Sequence, residues 1–188
     1  MRASRRILAV VITWLVVCLS GFAAAQPSDE VVAERVLGPQ WKQLSRRAGM
    51  IFGGTVLSVE APNGATDRTS TGAPPTVQLR FRVDQPIAGV EPGQVLTIHE
   101  WSGAWSMHRP MSSGQHVLLF LYPPSRLGLT SPVAGPLGQI ALDSSGMYVA
   151  KNELRVRQVR FLGPEKKIDA QGTSVVQLER AIRRAREE

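Results

Sequence analysis

The residues best suited to binding chemistry lie in one short segment between two apolar stretches. This segment contains two tryptophans, a histidine and an arginine: Trp101, Trp105, His108 and Arg109. Indole rings stack on sugars and on aromatic groups, and the arginine can add cation–π contacts and hydrogen bonds. The pattern therefore predicts a loop that binds a protein or a glycan. In the alternative interpretation the two indoles turn inward and plug one end of the core, because large aromatic side chains are mostly buried.

Metal binding and catalysis are not indicated by the other reactive side chains. Three histidines and a glutamate could be metal ligands in principle: His99, Glu100, His108 and His116. Their spacing matches no zinc signature, because no second histidine follows four residues after His99 and no thiolate accompanies them. Ser131, with the histidines and Asp143, could suggest a serine hydrolase, but no G-x-S-x-G elbow is present. We therefore expect no metal, no cofactor and no enzyme activity, with a hydrolase as the less favoured alternative.

A basic face is the second candidate surface. Its arginines would be Arg80, Arg82, Arg155 and Arg157. Small β-barrels often bind single-stranded nucleic acid on such faces, aided by aromatic side chains on the strands. Here the exposed face offers few aromatics, so we do not expect nucleic acid as a partner. In the simpler interpretation these arginines form a solvated face that discourages aggregation at the sheet edge.

The first 25 residues are predicted to be a signal peptide. Three arginines precede a nearly continuous apolar stretch over residues 7–19, and Ala23-Ala24-Ala25 supplies an A-x-A cleavage site. The stretch is too short for a stable membrane anchor, so none is expected after cleavage. Cleavage would remove the only cysteine, Cys18, and the mature chain would have no disulfide. We expect an exported protein, either periplasmic or secreted.

Residues 26–188 are numerous enough to form one domain around an ordinary apolar core. Loss of the three signal-peptide arginines lowers the formal charge from +7 to +4. That excess is too small to argue for a polyanionic partner.

Hydrophobic patterning predicts strands framed by two helices. Ser28 caps a helix that ends before Gly38, and Ser174 opens a basic helix with capping-box spacing. Gly53-Gly54 marks a bulge or bend in the first strand. Trp41 is expected to cover the end of the core. Residues 61–75 are expected to form a polar loop, and the predicted strands are 48–60, 76–83, 93–101, 117–121, the arms of a hairpin around 144–146, and 154–162.

Glycine placement and hydrophobic pattern over residues 48–122 resemble the netrin-module and tissue-inhibitor-of-metalloproteinase-like domains. The resemblance rests on Gly54-Thr-Val-Leu-Ser-Val, on Val77 to Val83 followed by Pro86-Ile-Ala-Gly89, on Val95 to Ile98, and on Gly114 to Leu121. It implies a mainly β fold, a small OB-like closed β-barrel of about five to six strands with a short N-terminal helix and a C-terminal helix. Inhibitors of that family chelate zinc through an amino-terminal cysteine and are held by disulfides, whereas the mature chain here has no cysteine.

These observations predict four regions: the signal peptide (1–25), an N-terminal helix and lead-in (26–47), an OB-like barrel with a hairpin extension (48–162), and a linker with a basic C-terminal helix (163–188). The expected function is that of an exported, non-catalytic module that binds a protein or glycan through barrel-end loops. The alternative, by family analogy, is inhibition of an exported peptidase through an amino terminus at Gln26.

Overall fold

The computed structural model describes residues 28–60, 75–107, 109–161 and 172–188. The predicted signal peptide, most of the predicted polar loop and linker, and His108 lie outside these ranges. The described elements are α1 (Asp29–Leu37), α2 (Trp41–Arg47), β1 (Met50–Glu60), β2 (Thr76–Ala88), β3 (Val95–Trp101), α3 (Ser102–Trp105), β4 (His116–Leu121), a 3-10 turn (Gly135–Gly138), β5 (Gln139–Ala141), α4 (Lys151–Phe161) and α5 (Val175–Glu187). No helix in these ranges is both long and apolar enough to cross a bilayer.

The five strands form one antiparallel sheet in the order β3-β2-β1-β4-β5. The expectation of a mainly β fold is therefore confirmed. The sheet is not closed, since β3 and β5 lie at its edges and no ladder of described residues joins them, so the closed barrel is not confirmed. The segment 129–132 is connected to the sheet by two single bridges. Leu129 bridges to His99 of β3, and Pro132 bridges to Leu121 of β4.

The pairing of β1 with β2 shifts register at the glycine pair, where the sequence predicted a bulge or bend, and the extra residue lies in β2. Gly53 is opposite Gln85, whereas Gly54 is opposite Val83, so one residue of β2 is skipped. A side chain at Gly54 would collide with the Arg82 carbonyl of β2. Beyond the bulge β2 continues to Ala88 through Pro86, further than predicted, because irregular pairing there tolerates a proline.

Two apolar clusters lie on opposite sides of the sheet. The inner cluster lies on one side and contains Phe52, Val56, Val77, Leu79, Phe81, Val83, Leu96, Ile98, Met111, Val117, Leu119 and Leu121. The outer cluster lies between the other side of β1, β4 and β5 and the helices α1, α2, α4 and α5. Strand β4 supplies residues to both clusters in alternation, so this predicted strand is buried on both faces.

Helices α1, α2, α4 and α5 form a helical layer over the outer cluster. Both predicted terminal helices, α1 and α5, are confirmed. The Ser28 side chain accepts a hydrogen bond from the backbone at the start of α1, and Ser174 and Gln177 form the capping box of α5. Trp41 is buried in the outer cluster, as expected, but on α2, a helix that the sequence did not predict. Near the end of α5, Arg186 Nη1 donates to the carbonyls of Ser45 and Ala48 at 2.5 and 2.8 Å.

The predicted strand at 154–162 is wrong, because residues 154–161 belong to the helix α4. Leu154 and Arg157, three residues apart, are both buried on one side of α4, and Leu154 belongs to the outer cluster. The preceding hairpin is confirmed at its turn, where the Gly146 amide donates to the Asp143 carbonyl at 3.0 Å. Its second arm is not a strand: Val149 forms an isolated bridge with Leu142, and Tyr148 forms one with Ser174.

Candidate binding site

A covering segment, residues 102–107 and 109–111, follows the end of β3, packs on the inner cluster and reaches β5. Trp105 packs against the inner cluster, and Met111 belongs to it. At the far end, the Gln139 side chain of β5 donates from Nε2 to the Arg109 carbonyl at 3.2 Å. The segment therefore packs on the inner cluster between β3 and β5, the two edge strands that no ladder of described residues joins.

The two tryptophans of the predicted binding loop have different environments. Trp101 is 50% exposed at the end of β3, and its six-membered ring lies against Gly103, where any side chain would collide with the indole. Trp105 is partly buried against the inner cluster. Trp101 is thus available to a partner, whereas Trp105 matches the interpretation in which an indole plugs the core. Met107, between Trp105 and Arg109, is 69% exposed.

Arg109 is tied to the helical layer. Its guanidinium forms an ion pair with Glu153 of α4, while about half of its side chain remains in contact with solvent. Together with the bond to its carbonyl, this pair fixes both the backbone and the side chain of the covering segment at Arg109. His108, the fourth residue of the predicted site, lies outside the described residues.

Glu153 and Arg157 form a buried ion pair on α4 that the sequence analysis missed. The Glu153 side chain is 1% exposed and that of Arg157 is 3% exposed, and Arg157 Nε donates to Glu153 Oε1 at 2.6 Å. Arg157 also donates to the carbonyls of Val36 and Gln139 at 3.0 and 3.1 Å. Burial lowers the pKa of Arg157, against the opposing effect of Glu153. The four-residue spacing was a detectable signal for a helical pair, but the incorrect strand prediction hid it.

The four arginines of the predicted basic face do not share a surface. Arg157 is buried and cannot belong to an exposed face, and Arg155 is exposed on α4 rather than on a strand. Arg80 and Arg82 are both exposed on β2. The Arg82 Nε donates to Asp84 Oδ1 at 2.8 Å, so its charge is offset locally.

Asp84, Thr55 and His116 form a polar cluster beside Arg82. The Thr55 hydroxyl donates to Asp84 Oδ2 at 2.6 Å and lies 3.1 Å from His116 Nδ1. Although desolvation raises the pKa of Asp84, the hydrogen bonds from Thr55 and Arg82 leave it below its usual value. A hydroxyl has one proton, and here Asp84 receives it rather than the imidazole.

The remaining candidate ligands and nucleophiles are dispersed. Within the described ranges no group of three or more histidine, aspartate, glutamate or cysteine side chains could hold a metal ion. The Ser131 carbonyl accepts a hydrogen bond from the Tyr122 amide at 3.0 Å, as part of the segment that runs along β4.

Glu100 is buried beside the covering segment. It lies on the same face of β3 as Leu96 and Ile98, opposite Val77 of β2, and is 1% exposed. Burial raises its pKa to about 7. The carboxyl can therefore change its charge state near neutral pH at the edge of the inner cluster.

No protein-family model, curated protein or solved structure matches this chain.

Proposed function

We propose that this protein is an exported, non-catalytic binding module that recognises a partner through Trp101 and the covering segment. The observation that carries the proposal is the half-exposed indole of Trp101, supported by Gly103 on a segment that is anchored at Arg109. An exposed aromatic side chain on a fixed backbone can bind without a large loss of conformational entropy. Export is proposed from the amino-terminal sequence, whose pattern is that of a signal peptide.

A protein partner is favoured over a glycan by the side chains around Trp101. Trp101, Met107 and Arg109 are all at least partly exposed, and these three residue types are enriched in protein–protein interfaces. Tryptophan and arginine are also the residues that most often dominate binding energy. A glycan would be expected to use further polar side chains around the indole, which the described part of the segment offers only at Ser102 and Ser106.

An OB-like arrangement and kinship with the netrin-type domains are part of the same proposal. The segment that bridges to β3 at Leu129 and to β4 at Pro132 would take the place of a closing strand. The covering segment would then lie at the mouth of the barrel, where ligands of small barrels are commonly bound. Inhibition of an exported peptidase is the form of this function that the family resemblance suggests.

The proposal is tested by capture of envelope and secreted proteins on the immobilised mature chain. We expect Trp101→Ala to reduce capture of a specific partner by at least about tenfold, since hot-spot truncations cost about 2 kcal/mol or more. Val31→Ala is the matched control, because Val31 is similarly exposed but lies on α1. Equal capture by a folded Trp101→Ala variant and by the control would reject the site. Identification of the partner as a peptidase, followed by an inhibition assay, would decide for the inhibitor.

A further inference from the structure

Glu153 lies between two guanidinium groups that belong to different parts of the fold. Arg157 contacts Glu153 Oε1 from within α4, and Arg109 contacts Oε2 from the covering segment. We infer that Glu153 is a positioning residue, which holds the covering segment in place through Arg109. The geometric part of this inference stands on the contacts alone, and its consequence for binding rests on the proposed function.

Glu153 can position another residue because its own place is fixed. Its partner Arg157 is bonded to the carbonyl of Val36 in α1 and to that of Gln139 in β5. Both side chains of the ion pair are almost completely buried. A buried charge that loses its partner is strongly destabilising, so the pair has little freedom to separate. Contacts with α4, α1 and the edge strand β5 therefore hold the Glu153 carboxylate in one position.

Arg109 is the exchangeable partner in this network. Arg157 is buried and fully engaged, whereas nearly half of the Arg109 side chain is exposed to solvent. Loss of the Arg109 side chain leaves the Glu153–Arg157 pair intact, so the outer cluster should be unaffected. The covering segment would then keep the bond from Gln139 to the Arg109 carbonyl and the packing of Trp105 and Met111 on the inner cluster, but it would lose its tie to α4. We therefore expect local loosening of the segment without unfolding.

Hydrogen exchange, measured by mass spectrometry on the mature chain, tests the inference without a ligand. In Arg109→Met we expect the amides of residues 102–107 to exchange at least about tenfold faster, as when an ion pair to a buried carboxylate is lost. Acrylamide should also quench Trp105 emission more strongly. Arg109→Lys should restore more than half of the protection, because a cation again faces Glu153. Arg155→Met is the matched control. It removes an exposed arginine from α4, the helix that carries Glu153, and should leave hydrogen exchange in the covering segment unchanged.

A second variant removes the contact between Arg109 and Glu153 by replacing Glu153 instead of Arg109. Glu153→Leu combined with Arg157→Leu replaces the buried ion pair by apolar side chains, which folded proteins often tolerate. Arg109 then lacks its carboxylate, and the segment should again exchange faster. Unchanged exchange in a folded Arg109→Met protein, or equal exchange in Arg109→Lys and Arg109→Met, would overturn the inference.

Partner capture separates this inference from the proposed function. Faster exchange together with unchanged capture would uphold the positioning role and reject the segment as the binding site. Reduced capture with unchanged exchange would overturn the positioning role and assign Arg109 a direct contact with the partner.

Discussion

At the scale of single residues, Glu100 should make stability depend on pH. Burial raises its pKa from 4.5 to about 7, so the folded protein holds this proton up to a higher pH than the unfolded chain does. The stabilisation linked to this proton is complete below about pH 4.5 and is lost as the pH rises through about 7. The loss for this one group is on the order of 3 kcal/mol. We expect urea unfolding to give a lower free energy at pH 8 than at pH 5.

A Glu100→Gln variant checks the origin of that dependence. The amide cannot ionise, so the decrease between pH 5 and pH 8 should become smaller in this variant. Glu60→Gln is the control, because Glu60 is an exposed carboxylate at the end of β1. The same decrease in wild type and in Glu100→Gln would show that other groups cause it.

At the scale of elements, the capping box should contribute measurably to the anchoring of α5. The Ser174 hydroxyl accepts from the Val176 amide at 3.2 Å, and the Gln177 side chain accepts from the Ser174 amide at 3.2 Å. Ser174→Ala removes one half of this box and should lower the free energy of unfolding by about 1 kcal/mol. Ser144→Ala, at an exposed turn position, should have almost no effect. Similar values for the two variants would contradict a role for the cap.

The sequence predicted those elements whose local signals agree with their surroundings. Strand β2 alternates strictly from Val77 to Val83, and α1 and α5 begin at serine caps. Helix α4 was mistaken for a strand because a buried arginine, Arg157, interrupts the apolar periodicity of its inner face. In that case the tertiary network, rather than hydrophobic patterning, determines which side of the helix is buried.

The candidate site was only partly predictable for a related reason. Residue types and spacing pointed to Trp101, Trp105 and Arg109, but the direction of each side chain depends on groups far away in sequence. Trp105 turns towards the inner cluster, and Arg109 turns towards Glu153. A local pattern cannot reveal either contact. The same limit applies to the predicted basic face. Two of its arginines lie on β2 and two on α4, and one of those on α4 is buried.

At the scale of the whole molecule, the two apolar clusters should make adjacent residues of β4 contribute similarly to the free energy of unfolding. Leu118 faces the outer cluster and Leu119 the inner one, and both are completely buried. Leu118→Ala and Leu119→Ala should each lower the free energy of unfolding by about 2–5 kcal/mol. Val95→Ala, on the half-exposed position at the start of β3, should cost far less. A small effect of either leucine variant in thermal or urea unfolding would mean that its cluster contributes little.

The bonds from Arg186 to the carbonyls of Ser45 and Ala48 have a consequence for the order of folding. Helices α1 and α2 are synthesised first, yet the helix that covers them, α5, follows all five strands along the chain. Until residues 175–187 emerge, the apolar side of the first two helices has no complete partner, although the sheet can already pair. Contacts between such distant parts of a chain form slowly. The nascent protein should therefore pass through a stage with a paired sheet and an open outer layer, the stage at which a chaperone would be most useful.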